Sequence, residues 1–271
     1  MGPFESVAIL LAGVAAGTIN TVVGSGTLIT FPTLLAFGVP PVTANVSNTL
    51  GLAPGSLSGA IGYRAELRGQ RRRLVVLGSA SLLGGVVGAL LLLWLPSSAF
   101  DAIVPVLILL GCALVILGPR LQRRVAARAA RAAGRGGLAE HGAWWVWPAV
   151  GLAGVYGGYF GAAQGVLLVA ILGIGVADTM QRHNASKNVL ALLVNGIAAV
   201  VFVLLAFVDV PFAPSSSAGS IDWSVAGLIA VGSVIGGQIG AKVGRRLPPP
   251  LLRTVIVVVG LVAVAAFLLP T

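Results

Sequence analysis

Within a chain that is 57% hydrophobic and only 9% charged lie groups of polar side chains whose types suit the binding of a small anion. The first group is Asn20 and Ser25 with the adjoining Gly26, and the second is Asn45, Ser47 and Asn48. A third begins at Gln164 and Gly165 and resumes at Arg182, His183, Asn184, Ser186 and Lys187. Amide and hydroxyl groups donate hydrogen bonds to an oxyanion without carrying charge, while Lys187 or Arg182 would add the net attraction. A cation inside an apolar run is costly, so its presence there points to function. Arg182 reads equally well as a residue at the cytoplasmic membrane edge. His183 changes charge near neutral pH, which makes it the candidate for any coupling to protons.

These groups occupy matching places in two halves of the sequence. Gly26-Thr27-Leu28-Ile29 precedes Ala44-Asn45-Val46-Ser47-Asn48, and Gly165-Val166-Leu167-Leu168 precedes His183-Asn184-Ala185-Ser186-Lys187 at the same separation. Farther on, Gly84-Gly85-Val86-Val87-Gly88-Ala89 with Pro96 answers to Gly236-Gly237-Gln238-Ile239-Gly240-Ala241 with Pro248. Paired hydrophobic segments interrupted by glycine, at corresponding points of two halves, mark the substrate site of many secondary transporters.

Composition sets the class. A soluble domain carries about 25% charged residues, so this chain reads as a polytopic all-α membrane protein with the lipid bilayer as its surroundings. The net charge of +10 comes from arginines in short loops, with no aromatic stacking platform beside them, and nucleic acid is not an expected partner. The single Cys112 supports neither a disulfide framework nor a cysteine metal site. All seven acidic residues fall near the ends of apolar runs, which leaves a membrane hydrolase without its carboxylate pair and gives no reason to expect an enzyme, a metal or a cofactor.

Eight apolar units are expected, at 4–37, 43–62, 74–95, 99–118, 143–176, 184–208, 221–241 and 250–269. Six match the roughly 20 residues of one membrane crossing. The first and fifth are longer and are broken, at Gly24-Ser25-Gly26 and at Gly157-Gly158 through Gly165, so each is expected to fold as a helical hairpin, re-entrant or as two short spans. Arg64 to Arg73, Arg120 to Arg135, and Lys242 to Arg253 place three loops in the cytoplasm, whereas 96–99 and 209–222 lack basic residues and belong outside. This pattern holds only if the two halves are inverted. The expected organisation is a first repeat at 1–118, a basic linker at 119–142 and a second repeat at 143–271, each repeat a broken hairpin plus three transmembrane helices. The Ala-Arg run of the linker suits a solvated cytoplasmic loop or a short amphipathic helix.

The run Gly17-Thr18-Ile19-Asn20-Thr21-Val22-Val23-Gly24-Ser25-Gly26-Thr27-Leu28-Ile29, with Pro32, Gly38-Val39-Pro40-Pro41 and Ala44-Asn45, resembles the first-half signature of the sulfite exporter (TauE/SafE) family. Gly154-Val155-Tyr156-Gly157-Gly158-Tyr159-Phe160-Gly161 is similar to its second-half signature, with Ala162-Ala163-Gln164 where further glycines are usual. The resemblance covers essentially the whole chain. It implies a permease or exporter of small sulfur-containing anions (sulfite, sulfonates, sulfoacetate) in a prokaryotic cytoplasmic membrane, with no cofactor. A passive anion channel, or a membrane scaffold that transports nothing, would be the alternatives, and the sequence leaves direction, coupling ion and oligomeric state open.

Overall fold

The protein is seen here as a computed structural model that describes residues 1–132, 143–207, 221–243 and 249–268. Ten helices make up the described chain: α1 (Pro3–Val22), α2 (Thr27–Ala36), α3 (Pro41–Gly62), α4 (Arg71–Trp94), α5 (Ser97–Ala132), α6 (Val146–Tyr159), α7 (Gln164–Gly175), α8 (Met180–Phe207), α9 (Trp223–Val243) and α10 (Pro249–Leu268). Among the described residues no strand occurs, and five helices are long and apolar enough to cross a membrane. Large side chains such as Val75, Leu83, Val106, Leu152 and Val262 stand exposed on the outer surface, as lipid-facing residues must.

Helix ends follow the local chemistry. Pro3 and Pro41 open α1 and α3, where a missing N–H costs nothing, and the Gly2 N–H donates to Glu5 Oε2 at 2.9 Å. The α1–α2 break turns on Gly24 with φ +89°, and the α6–α7 break on Gly161 with φ +78°. Ala163, at φ +59°, is a strained exception beside the second break.

Two departures from the expected layout stand out. The first broken unit is not a pair of short helices, since α1 runs for 20 residues and can itself span, while α2 has only 10. The fourth unit does not stop at 118, because α5 continues through Pro119 to Ala132. Its Ala- and Arg-rich end consists of strong helix formers, which carry the helix out of the apolar region. The remainder of the basic linker, most of the loop expected outside at 209–222, and Arg245 with Arg246 lie outside the described residues.

Helices of one half pack mainly on helices of the other. The α1 helix lies along α9 and α4 lies along α6, while α3 packs on both α8 and α9 and α4 also meets α8. Each such pairing has its counterpart when the halves are exchanged. Bilayer helices gain little from apolar burial and associate through close van der Waals contact and interhelical hydrogen bonds. Glycines supply the closeness: a Cβ at Gly13 would lie 3.1 Å from the Ile229 backbone, and one at Gly154 would lie 3.0 Å from the Ser81 carbonyl. Thr18 Oγ1 adds a hydrogen bond to the Gly236 carbonyl at 3.1 Å.

The polar contacts also fix helix direction. Asp222 N–H, just before α9, donates to Ser47 Oγ near the start of α3, whereas Arg182 at the start of α8 donates to the Arg68 carbonyl just past the end of α3. Midway, Asn195 of α8 reaches Ser56 of α3 at 3.1 Å. Helices α3 and α8 therefore run antiparallel. Beside the breaks the interior is aromatic, with Phe31 edge-on to Phe160 at 5.2 Å and Phe100 edge-on to Tyr159 at 5.8 Å.

Candidate functional site

The two breaks meet at the centre of the helix assembly. Gly165 donates its backbone N–H to the Gly24 carbonyl at 3.0 Å, and a Cβ on either glycine would collide with the backbone of the other. Polar residues flanking this crossing are almost fully buried: Ser25 and Lys187 at 0%, Asn45 and Asn48 at 1% and Gln164 at 3%.

Lys187 is the charged group of the crossing. From α8 its Nζ donates to the carbonyls of Asn20 and Thr21, at 2.9 and 3.0 Å, in the last turn of α1. A cation at a helix C-terminus satisfies free carbonyls and complements the dipole. Asn184 and Asn188 send their Nδ2 groups to the same Thr21 carbonyl, each at 3.4 Å. An ammonium group has three donors. The two carbonyls occupy two of them.

The other half repeats the arrangement. Asn45 of α3 donates to the Tyr159 carbonyl at the end of α6, at 2.9 Å. At the position matching Lys187 stands Asn48, which joins α2 by donating to Thr27 Oγ1 at 3.3 Å and accepting from Thr30 Oγ1. Each half thus lays an asparagine from its third or eighth helix on the broken end of the other half's hairpin. Only one of the two carries a lysine.

Donors at the short helices are mostly consumed. Leu28 and Ile29 of α2 bond to Ser25 and Gly26, and Gln164 and Val166 of α7 bond to Gly161 and Ala163. The groups left without partners beside the breaks are therefore side-chain atoms. Ser25 Oγ, Gln164 Nε2 and Asn45 Oδ1 are buried with no hydrogen-bond partner. Each such atom costs about 1–3 kcal/mol unless something else satisfies it.

Of the residues expected from sequence, Asn20, Ser25, Gly26, Asn45, Asn48, Gln164, Gly165, Asn184 and Lys187 gather at this crossing. Gly26 admits no side chain, since a Cβ there would lie 2.6 Å from the Ala16 carbonyl. Ser47 instead ties the start of α9. Ser186, Arg182 and His183 belong to a second cluster, where Asp178 lies between Arg73 at 2.7 Å and Arg182 at 2.8 Å. There Gln70 Oε1 accepts from Ser186 Oγ at 2.8 Å and from Arg73 at 2.9 Å. Burial alone would raise the Asp178 carboxyl, but hydrogen bonds from Arg73 and Arg182 hold it below the usual carboxylate range.

Sequence reasoning missed Ser56 and Asn195, which bond to each other and bring in Asn20 at 3.3 Å. Helical spacing carries the signal. Asn45, Thr49 and Ser56 share one face of α3, and Asn184, Asn188 and Asn195 share one face of α8.

Comparison with known proteins gives the family. The family model for sulfite exporter TauE/SafE matches residues 9–267, nearly the whole chain. The chain belongs to the sulfite exporter TauE/SafE family. Among its relatives is the probable membrane transporter protein YfcA of Escherichia coli (strain K12), 27% identical with 93% of this chain and 86% of that one aligned. The probable membrane transporter protein ORF9 of Sinorhizobium sp is 25% identical over 93% of this chain and 88% of its own. A probable membrane transporter protein of Haemophilus influenzae (strain ATCC 51907 / DSM 11121 / KW20 / Rd) is 26% identical over 93% and 90%. No solved structure matches. Family membership and the five apolar helices make the chain a multi-pass membrane transporter.

Proposed function

We propose that the protein is a secondary transporter of small sulfur-containing anions, such as sulfite, sulfonates or sulfoacetate, across the cytoplasmic membrane. The substrate lies between the two breaks. Ser25, Gln164 and the remaining donor of Lys187 bind its oxygens, and Asn45 and Asn184 hold the broken ends in register. The halves at 1–118 and 143–271 act as inverted repeats that rock about this point, an arrangement favoured by the antiparallel course of α3 and α8. With Gly24 and Gly165 in contact the crossing is shut, so the anion separates them when it binds.

The observation that carries this reading is the fully buried Lys187 at the junction of the two breaks, beside buried donors without partners. A lysine kept inside a membrane protein needs a counter-charge or a role, and a transported anion supplies both.

Proteoliposome transport is the test. Vesicles holding the purified protein should accumulate sulfite or methanesulfonate in response to an imposed ion gradient, and Lys187→Gln should reduce that uptake about ten- to a hundredfold, the worth of a charge-assisted hydrogen bond. Downhill movement that no gradient drives would make the protein a passive channel, and uptake unchanged in Lys187→Gln would remove the crossing as the binding site.

A further inference from the structure

A second polar centre lies apart from the crossing, at the arginine-rich end that the positive-inside rule assigns to the cytoplasm. Here the turn between α3 and α4 meets the turn between α7 and α8, so the two halves are joined a second time. A cavity of about 250 Å³ opens between them, lined by Gln70, Arg72, Arg73, Ala177, Asp178 and Arg182. Water occupies roughly 30 Å³ in the liquid, so the cavity has room for a three-oxygen anion with part of its hydration shell.

What fills the guanidinium groups now is a carboxylate of the chain itself. Asp178 Oδ2 accepts from Arg73 at 2.7 Å and from the Nε of Arg182 at 3.0 Å, while Oδ1 accepts from the Thr179 N–H at 2.9 Å. Arg73 is 7% exposed and Gln70 is 2% exposed, so these groups are set in the wall of the cavity and not loose on the surface. Two guanidiniums converging on one carboxylate form an arrangement that can also receive sulfonate and other oxyanions.

We infer that this cavity is an anion-docking site on the cytoplasmic side, in which an arriving sulfur oxyanion displaces the Asp178 carboxylate from Arg73 and Arg182 and so unlatches the α3–α4 turn from α8. The inference rests on the transport reading above, for it makes the cavity the substrate's first station. Helix α8 connects the two centres. Ser186 is tied to Gln70 in the docking site, while Lys187, its neighbour in the chain, holds the broken end of α1. Release of the latch frees the start of α8, and with it the lysine at the crossing.

The test uses Ala177→Cys in a Cys112→Ser background, reconstituted in phosphatidylcholine vesicles, with maleimide labelling as readout and methanesulfonate as probe. Methanesulfonate should slow labelling in a saturable way. Arg73→Gln and Arg182→Gln should each abolish that protection, and Asp178→Asn should lower the half-protecting concentration by about tenfold, because the probe then competes with no resident carboxylate. Lys187→Gln should lose transport and keep protection, which separates this site from the crossing. Absence of protection in vesicles that still transport methanesulfonate overturns the docking site and leaves the transport reading standing. Protection lost in Lys187→Gln but kept in Arg182→Gln, whose side chain is part-exposed, overturns it as well. Labelling slowed by added phosphatidylglycerol and not by methanesulfonate assigns the cavity to a lipid headgroup and overturns the docking step.

Discussion

Asn45 and Asn184 stand at matching places in the two halves: the first caps the end of α6 through the Tyr159 carbonyl and the second caps the end of α1 through the Thr21 carbonyl. Each half of the chain therefore depends on the other to satisfy the backbone exposed where its own hairpin breaks. In hydrocarbon such carbonyls have no water to turn to.

Replacing Asn45 by alanine is expected to cost about 1–3 kcal/mol, since the Tyr159 carbonyl loses its donor, whereas Asn184→Ala should cost less, because Lys187 and Asn188 still donate to the Thr21 carbonyl. Thermal unfolding in detergent should shift down by several degrees for Asn45→Ala and by less for Asn184→Ala, with anion uptake reduced in both. A variant that unfolds at the parent temperature would show that the carbonyl is satisfied elsewhere.

Gly165→Ala should abolish transport, because the added methyl falls inside contact distance of Gly24 and forces the two breaks apart. Gly227→Ala in α9 provides the comparison. Nothing lies within 4 Å of a Cβ there, and the helix gains about 1 kcal/mol from alanine. Uptake assays that show the two variants equally active would reduce the crossing to ordinary packing.

The Asp178 latch has a pH dependence whose sign follows from its depressed titration. A carboxyl held below its unfolded value stabilises the fold above that value, and the contribution disappears as acid protonates it in the folded state. The difference in melting temperature between the parent and Asp178→Asn should stay constant from neutral pH to about 5 and shrink below roughly 3.9, the ordinary aspartate value. A difference that already vanishes between pH 7 and 6 would mean that the arginines do not protect the carboxylate.

Sidedness can be checked with an impermeant thiol reagent, in a background without Cys112. Ser97→Cys, exposed at the first residue of α5, should react from outside the cell, and Arg71→Cys at the start of α4 should react only after permeabilisation. Labelling of Arg71→Cys in intact cells would reverse the orientation.

Much of this was legible in the sequence. Hydropathy places the helices to within a few residues, because a bilayer enforces the length of each apolar run. It failed at α5, where an Ala- and Arg-rich stretch has lost its apolar character but not its helical propensity. The polar clusters were also visible, yet Ser47 and Ser186 were grouped with neighbours that they do not join. Two residues apart on a helix means a turn of about 200°, so Ser47 points away from Asn45 and Ser186 away from Asn184. Asp178 escaped notice for another reason. Its partners, Arg73 and Arg182, come from different halves, and nothing in local spacing says that a loop of one half closes on a loop of the other.

The exchange of helices between halves bears on how the protein is made. The face of α1 that carries Gly13 and Gly17 finds its match only in α9, around Gly232 and Ser233. A ribosome delivering this chain to the membrane must release α1 into lipid long before α9 exists, and the partly synthesised protein is left with narrow, side-chain-poor stripes that any passing helix can occupy. Biogenesis is thus the stage at which this transporter is most open to mispairing, and severing the chain between its halves should yield fragments that mature only when both are inserted together.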